Sequence, residues 1–460
     1  MNKGVVRVVT CFGAAILIAV AVITAAGAAM AQGGFTCVYA NDDSGSPNTV
    51  DGYRVTPTSQ VCVSPFQTGG ESKGLSVMSD IVASPTKSVL YASDSESADI
   101  AALHAQNLTV LYSFRPAPDG THPRTGLIRD PMGNFYGTTQ MGGAFKFGTV
   151  FKLDASGNET VLHSFSFSDG QGPVAGLLRD PAGNLYGTTY GGGSSGAGTI
   201  FELDATGKET VLHNFAGTPD GEGPAAILVR DPKANFYGTT PFGGVLDLGT
   251  VFKLDSAGKE TVLYNFASLP DGANPYGGVI LDSSGNLYGT TQYGGDFNFG
   301  TVFEINANGE EIVLYSFVGG GDGEYPIAGV ERDASGNLYG TTYQGGAYGF
   351  GTVFRLDKNA VKNVLYSFGN IPDGESPFGG VVLDAEGNLY GTTAFGGTYL
   401  AGTVFKVDAN SKETVLHSFT GGADGAHPKV GVIRDAAGNL YGTTGGGGTS
   451  GLGTAFKLMP

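Results

Sequence analysis

The chain has 460 residues, 78 of them glycine, with 41% hydrophobic residues and a formal net charge of −17 at pH 7. This apolar content excludes a disordered low-complexity protein, because enough hydrophobic surface is present to form a core. The acidic balance excludes nucleic acid and anionic lipid as partners, which leaves cations, neutral glycans and proteins.

Residues 1–31 are predicted to be a secretory signal peptide. Lys3 and Arg7 precede an apolar run over residues 12–29, and small residues at 29 and 31 form a cleavage site. The alternative is an uncleaved membrane anchor, since a run of about 18 residues is barely long enough to span a bilayer. After cleavage we expect a soluble monomer away from the membrane, which is secreted, periplasmic or at the surface of a bacterial cell.

Residues 32–78 contain three runs rich in branched and aromatic residues, FTCVYAN, TVDGYRV and VCVSPF, which are predicted strands. They also carry Cys37 and Cys62, the two cysteines that remain once Cys11 leaves with the signal peptide. Two cysteines in an exported chain predict a disulfide, and two buried free thiols are the alternative. Their spacing differs from that of cysteine metal sites.

Residues 115–460 consist of seven tandem repeats of about 51 residues. Each copy contains four strand-like runs separated by Gly, Asn, Asp and Pro; in the second copy these are GLLRD, NLYGTT, GTIFELD and ETVLHNF. Short turns with Asp and Gly join neighbouring runs, which predicts antiparallel pairing. The tetrapeptide Tyr-Gly-Thr-Thr occurs in every copy, with its tyrosine at positions 136, 186, 237, 288, 339, 390 and 441.

These repeats predict an all-β fold, a β-propeller of four-stranded antiparallel blades. Both faces of the strands carry apolar side chains, such as Ile200 and Phe201, so each sheet must be covered on both sides, as radial stacking provides. Leucine-rich solenoids have shorter repeats of about 20–29 residues, and tandem sandwiches need about 100 residues each.

We predict eight blades, with seven or nine as alternatives. Residues 79–114 keep four runs without the repeat signature and are interpreted as a divergent blade, so that the propeller spans residues 79–460. The last copy stops at Pro460, before its fourth strand. One of the N-terminal strands in residues 35–66 is expected to fill that place and close the ring, which would remove an exposed sheet edge.

The consensus DGxxPxxGLIRDxxGNLYGTTxxGGxxxxGTVFKLDxxGxETVLYSF resembles the GloVer tandem repeat of the choice-of-anchor protein family, over about residues 108–460. This resemblance implies an exported or surface repeat protein and brings no established activity. Residues 35–103 separately resemble lactonase-like propellers of the 6-phosphogluconolactonase type, through VYANDDSGSPNTVDGYRV, SPFQTGG and ASPTKSVLYASD. The second resemblance implies strands and turns and carries no catalytic position.

Two kinds of loop are expected on one face of the propeller, because the chain reverses at each strand. The Asp-Gly loops follow the fourth strands, and the Gly-Gly loops follow the second strands. The aspartates of the Asp-Gly loops could hold a hard cation, or could fix their own turns by accepting backbone hydrogen bonds. These aspartates are Asp119, Asp169, Asp220, Asp271, Asp322, Asp373 and Asp424. Beyond a Ca²⁺ ion at these positions, no cofactor is expected.

The Gly-Gly loops carry aromatic side chains that could stack on sugar rings or anchor a protein, or could instead plug gaps between blades. These candidates are Phe145, Phe242, Tyr293, Phe297, Tyr348, Phe395 and Tyr399. His122 and His427 lie in the Asp-Gly loops beside the divergent blade and are the one asymmetric lead toward an active site. Strand histidines such as His163 are interpreted as packing residues. First-strand arginines such as Arg129 could form an anion site or pair with carboxylates.

Nearly every polar residue recurs with the repeat, and this symmetry favours a binding surface over a catalytic site, so no catalytic residue is assigned. The leading hypothesis is an exported module that binds a glycan or a protein ligand through its loop face. The alternatives are an extracellular enzyme of the lactonase or polysaccharide-lyase type and a purely structural component of the cell surface.

Overall fold

The computed structural model describes residues 108–460 except for 268 and 370, and within residues 1–107 the backbone of nine strands. The chain divides into two compact units, Met1–Asn107 and Leu108–Pro460. In the N-terminal unit the first six strands form one sheet and the last three form another. These strands are Val6–Phe12, Ala15–Ala21, Phe35–Asn41, Thr49–Val55, Gln60–Cys62, Phe66–Gln67, Ile81–Ala83, Val89–Ser93 and Ile100–His104.

Several sequence predictions fall on the N-terminal unit, whose side chains are not described. The Cys37–Cys62 disulfide depends on side chains outside the described part of the chain and stays a prediction. Cleavage of the signal peptide also stays a prediction. Within the described parts of the chain, no helix has the length and apolar character needed to cross a bilayer.

The C-terminal unit is a β-propeller of seven four-stranded antiparallel blades, in which the strands of each copy pair in chain order. The first strands of blades 1 to 7 are Ile128–Arg129, Leu178–Arg179, Val229–Arg230, Ile280–Leu281, Glu331–Arg332, Val382–Leu383 and Ile433–Arg434. The second strands are Phe135–Thr139, Leu185–Thr189, Phe236–Thr240, Leu287–Thr291, Leu338–Thr342, Leu389–Thr393 and Leu440–Thr444.

The third strands are Thr149–Leu153, Thr199–Leu203, Thr250–Leu254, Thr301–Ile305, Thr352–Leu356, Thr403–Val407 and Thr454–Leu458. The fourth strands of blades 1 to 6 are Glu159–Ser164, Glu209–Asn214, Glu260–Asn265, Glu311–Ser316, Lys362–Ser367 and Glu413–Ser418. Blade 7 takes its fourth strand from the start of the unit, Leu108–Ser113, which pairs antiparallel with Thr454–Leu458.

The prediction of eight blades is therefore wrong. The run Leu108–Ser113 does not belong to a divergent blade over residues 79–114; it completes the last copy, so the repeats need no further blade. The prediction that a strand from residues 35–66 fills this place is not confirmed, because Leu108–Ser113 occupies it. Blade 7 combines strands from both ends of the C-terminal unit. The third strand of the last copy, Thr454–Leu458, therefore has no open edge.

The Asp-Gly and Gly-Gly loops meet in small two-stranded ladders, which places both loop types together as the chain reversals predict. Four ladders are formed by Gly120–Thr121 with Met141–Gly142, Gly221–Glu222 with Phe242–Gly243, Gly272–Ala273 with Tyr293–Gly294, and Gly374–Glu375 with Phe395–Gly396. Single bridges take their place in blades 2, 5 and 7. A short 3-10 helix, Gly320–Asp322, lies in one Asp-Gly loop.

The tyrosine and glycine of the repeated tetrapeptide have structural roles, as blade 1 shows. Tyr136 donates a hydrogen bond to Asp130, at the end of the first strand, over 3.1 Å. A Cβ added to Gly137 would lie 2.7 Å from the ring of Phe151 in the third strand. Glycine is therefore needed here because the phenylalanine packs directly against bare backbone.

The two threonines of the tetrapeptide hold strands and blades together. The first donates a hydrogen bond to the backbone entering the next blade: Thr138 bonds to Ala175 O at 3.1 Å, and Thr443 of blade 7 bonds to Thr125 O before blade 1 at 2.9 Å. The second bonds to a third-strand threonine of its own blade at 2.8–2.9 Å in all seven copies. The most regular residues of the repeat thus serve the fold.

Phenylalanine pairs form the core between successive blades. The phenylalanine that follows each fourth strand packs edge-to-face on the third-strand phenylalanine of the next blade, with ring centroids 5.0–5.3 Å apart. The pairs are Phe114–Phe151, Phe165–Phe201, Phe215–Phe252, Phe266–Phe303, Phe317–Phe354, Phe368–Phe405 and Phe419–Phe456. Blade 7 thereby contacts both blade 6 and blade 1.

Candidate functional site

Residues that differ between the copies gather around a depression lined by all seven blades, which we call the funnel. Its volume is about 760 Å³. One ring of its wall is the residue after each Asp-Gly-loop proline: Arg124, Val174, Ala225, Tyr276, Ile327, Phe378 and Lys429. A second ring includes residues that follow the repeated tetrapeptide: Gln140, Tyr190, Gln292 and Tyr343. Cavities of this size commonly hold small ligands.

The base of the funnel is mostly backbone, because six copies place a glycine before the buried hydrophobic residue that precedes the first strand. These glycines are Gly126, Gly176, Gly278, Gly329, Gly380 and Gly431. Ile227 takes the position in blade 3, where its side chain is 41% exposed. The floor of the funnel is therefore not seven-fold symmetric.

One side of the funnel is cationic although the chain is strongly acidic. Arg124 precedes blade 1 and Lys429 precedes blade 7; burial, and next the charge of Arg124, lowers the pKa of Lys429. Burial and the same arginine lower the pKa of His122. Arg124 Nε is buried without a hydrogen-bond partner among the described residues. Two neighbouring cations suit an anionic group of a ligand.

Aromatic rings line other parts of the funnel wall. Tyr343 and Phe378 pack together with centroids 4.7 Å apart, and Lys429 Nζ lies 5.4 Å from the centroid of Phe378. Burial raises the pKa of Tyr276 to about 12. Tyr190 is 41% exposed and also borders a second cavity of about 600 Å³, which is lined by residues of the neighbouring loops. Flat apolar rings beside polar groups are typical of sugar-binding surfaces.

The aromatic candidates of the Gly-Gly loops divide into two groups. Phe145, Phe297, Tyr348 and Tyr399 are 55–62% exposed at the loop tips. Phe242, Tyr293 and Phe395 pack against residues of the adjoining Asp-Gly loop: Tyr276, Tyr325 and His427. The second group therefore fills gaps between loops, and the first group forms an exposed rim.

The two asymmetric histidines lie in loops that flank blade 7, and both have a left-handed backbone, with φ of 56° at His122 and 55° at His427. His427 Nδ1 bonds to Ala394 O at 3.0 Å, as Asn274 Nδ2 bonds to Pro241 O at 2.8 Å in a sister loop. This shared contact gives His427 a turn-holding role. His122 Nδ1 contacts Thr121 Oγ1 at 3.1 Å.

First-strand arginines approach the aspartate that ends the first strand of the preceding blade. The separations are 3.8 Å for Arg129 and Asp435, 3.9 Å for Arg230 and Asp180, and 4.0 Å for Arg434 and Asp384. The Arg230 guanidinium also lies 5.7 Å from the Tyr186 ring centroid. These contacts agree with the carboxylate-pairing interpretation of the arginines.

The Asp-Gly aspartates accept hydrogen bonds from their own turns. Asp220, for example, accepts from Ala216 N at 3.1 Å and from Gly221 N at 2.7 Å. It also contacts His213 Nε2, in the preceding fourth strand, at 3.2 Å. The same contact is made by the fourth-strand Tyr or His in the other copies: Tyr112, His163, Tyr264, Tyr315, Tyr366 and His417.

A glutamate at the start of the next fourth strand faces each of five Asp-Gly aspartates. Burial, and next the negative charge of that aspartate, raises the pKa of the glutamate to about 7. Within the described part of the chain, Oε1 of each is buried without a hydrogen-bond partner. These glutamates are Glu159, Glu209, Glu260, Glu311 and Glu413. None of these glutamates was identified from the sequence, although the number of residues between each aspartate and its glutamate is the same in all five copies.

A family model described as a Gloeobacter/Verrucomicrobia repeat matches residues 155–333 and 309–460, which together make up more than half of the chain. This match confirms the repeat resemblance found in the consensus. No curated protein matches the sequence.

Among solved structures, the chain is similar to a gluconolactonase from Xanthomonas campestris, with 14% identity over 77% of this chain and 89% of that chain and a TM-score of 0.40. A putative oxidoreductase (glucose dehydrogenase) from Thermus thermophilus shares 14% identity over 77% of this chain and all 100% of its own, with a TM-score of 0.39. An apocarotenoid oxygenase from Synechocystis shares 13% identity over 80% and 84%, with a TM-score of 0.37. Likeness at this level carries no argument about activity.

Proposed function

The chain belongs to the Gloeobacter/Verrucomicrobia repeat family, and we propose that it is an exported module that binds an acidic glycan in the funnel. The observation that carries this proposal is the position of the variable residues. The tetrapeptide and the core phenylalanines recur because the fold needs them, whereas the residue after each loop proline, and in four copies the residue after the tetrapeptide, change from copy to copy and line one cavity. Variation at a concave surface on a constant scaffold is typical of ligand binding.

The chemistry of the wall selects the ligand class. Tyr190, Tyr343 and Phe378 offer ring faces on which the C–H face of a sugar can pack. Arg124 and Lys429 can receive a carboxylate, as in a uronic acid. An acidic glycan satisfies both features, whereas a neutral glycan would leave the cations without an anionic partner.

Export is part of this proposal and rests on the predicted signal peptide in residues 1–31. A protein ligand is a second candidate, favoured by the exposed rim of Phe145, Phe297, Tyr348 and Tyr399. The lactonase, lyase and purely structural alternatives stay predictions.

A glycan array that contains neutral and uronate oligosaccharides, followed by calorimetric titration of the mature protein, tests the proposal. We expect a uronate ligand to bind, and the double substitution Tyr343→Ala with Phe378→Ala to weaken binding at least tenfold, about 1.4 kcal/mol. Arg124→Gln with Lys429→Gln should remove the preference for uronate over neutral sugars.

Phe297→Ala is the matched control, because it removes an exposed ring of the rim and leaves the funnel intact. Its affinity for the glycan should equal that of the parent protein. A blank array, or a loss of binding in Phe297→Ala that the funnel variants do not show, would contradict binding in the funnel. The latter result would instead favour the rim and a protein ligand.

A further inference from the structure

Seven equivalent positions between blades carry different charges, and this series indicates which ligand they accept. Each position combines the fourth-strand Tyr or His of one blade, the following Asp-Gly aspartate and the first fourth-strand residue of the next blade. Two positions contain His, Asp and Glu: His163–Asp169–Glu209 and His213–Asp220–Glu260. Three contain Tyr, Asp and Glu: Tyr112–Asp119–Glu159, Tyr264–Asp271–Glu311 and Tyr366–Asp373–Glu413.

The sixth position contains a cation supplied by the chain itself. Lys362 replaces the glutamate, and its Nζ lies 2.6 Å from Asp322 Oδ1 and also bonds to the Asp322 carbonyl oxygen. The lysine side chain is only 2% exposed, and Nζ is 4.9 Å from the Phe317 ring centroid. An ammonium group is thus accommodated where the sister copies place a second carboxyl group.

The seventh position omits the second carboxyl group. Leu108 pairs with Leu458 in blade 7 as Glu159 pairs with Leu153 in blade 1, so leucine occupies the glutamate position. What remains is His417 Nε2 at 3.1 Å from Asp424 Oδ2. The chain therefore shows, in its own copies, the same site with a built-in cation and with one carboxylate removed.

The two His–Asp–Glu positions have the composition of a metal site. Their three ligand atoms lie within 4.8 Å of one another, and His Nε2 is 3.2 Å from Asp Oδ2 in both. A tetrahedral ion with bonds of about 2.0–2.1 Å places its ligand atoms about 3.3 Å apart. The unpartnered Oε1 atoms of Glu209 and Glu260 are buried beside this space, as far as the structure describes the chain.

We propose that His163–Asp169–Glu209 and His213–Asp220–Glu260 each bind one divalent transition-metal ion of the Zn²⁺ class. An imidazole nitrogen with two carboxylates favours Zn²⁺ over Ca²⁺, which takes oxygen ligands. Because the aspartate and histidine reach the site from one side and the glutamate from the next blade, each ion ties two successive blades together. Lys362 also ties two successive blades together, with the ammonium group of its own side chain in place of a metal ion. The ions stabilise the propeller. None of their ligands lines the funnel, so these sites are independent of the proposed glycan site.

The experiment uses the mature protein without an affinity tag, with Cys37→Ser and Cys62→Ser so that thiols do not bind the metal. After treatment with chelator, Zn²⁺ is titrated by calorimetry, and Co²⁺ absorption reports the ligand environment. We expect two ions per chain and a rise in Tm with added Zn²⁺. His213→Tyr, which copies the sister residue Tyr264, should lower the stoichiometry to one ion and leave the Tm of the metal-free protein unchanged.

His417→Tyr is the matched control, because its position has Leu108 in place of the glutamate; the stoichiometry should stay at two. Glu209→Gln with Glu260→Gln keeps the shape of both sites and should weaken Zn²⁺ binding by about tenfold or more, because a neutral amide replaces a carboxylate ligand. Failure to bind Zn²⁺ at micromolar concentrations would overturn the proposal. Two ions that remain in the His163→Tyr, His213→Tyr double variant would overturn it as well, since they would be bound elsewhere.

Discussion

Replacing Phe201 by alanine is expected to lower the free energy of unfolding by about 3–5 kcal/mol. The Phe201 side chain is completely buried, and its ring lies 5.0 Å from that of Phe165 in the preceding blade. The far end of the ring meets Gly187, where an added Cβ would lie only 2.6 Å away. The substitution leaves a cavity. Because backbone hydrogen bonds hold the neighbouring strands in place, they cannot move in to fill it, and most of the van der Waals contacts of the ring are not replaced.

Urea unfolding followed by circular dichroism measures this loss, since the chain contains no tryptophan for fluorescence. Phe145→Ala is the control, because the Phe145 side chain is 58% exposed; its effect should stay within about 0.5 kcal/mol. An equally small effect of Phe201→Ala would mean that the third strands do not face the core between blades.

A chain that begins at residue 108 is expected to keep the cooperative thermal unfolding of the repeat unit, whereas a chain that begins at residue 115 should lose it. Residues 108–114 supply the fourth strand of blade 7 and Phe114, which is fully buried against Phe151 of blade 1. Loss of the phenylalanine alone costs about 3–5 kcal/mol. Its removal with the strand also exposes the edge of Thr454–Leu458, which invites aggregation.

Circular dichroism melting and size-exclusion chromatography of the two truncated chains distinguish these outcomes. The chain from residue 108 should be monomeric and melt in one transition. The chain from residue 115 should melt at a much lower temperature or aggregate. Equal melting of both chains would show that the strand Leu108–Ser113 does not complete blade 7.

The fold could be predicted from the sequence because each copy repeats its turns as well as its strands. The blade count could not, and the reason lies in Leu108–Ser113. Its sequence, LTVLYS, matches the fourth strand of the repeat, ETVLHS, but it stands before the first copy. A repeat boundary in sequence need not be a blade boundary in space, since a ring leaves no open strand edge where it closes when both ends of the repeat unit share one blade.

The site was only partly predictable because its residues come together from different copies. The turn role of the Asp-Gly aspartates agrees with the observed contacts, yet the partner glutamate is supplied by the next blade, as Glu260 is for Asp220. Lys362 was the feature of the sequence that could have revealed this pairing, because a lysine replaces the glutamate found at the same position in five other copies.

The funnel left a similar signal in the sequence. The residues after the loop proline and after the tetrapeptide vary while their neighbours repeat, as Arg124, Val174 and Tyr276 illustrate. The overall negative charge concealed the local pair of Arg124 and Lys429, because a net charge does not report where cations cluster. Variable positions in a repeat protein are therefore the better guide to its ligand.

A disulfide between Thr109→Cys and Lys457→Cys tests most directly that the two ends of the repeat unit share blade 7. These residues are paired across Leu108–Ser113 and Thr454–Leu458, at a separation of the kind a disulfide can bridge. In a chain with Cys11, Cys37 and Cys62 replaced by serine, mild oxidation should cross-link this pair. The matched pair of Thr109→Cys with Lys406→Cys, at the same position of blade 6, should stay reduced. Cross-linking of the blade 6 pair, or none between positions 109 and 457, would contradict the seven-bladed ring.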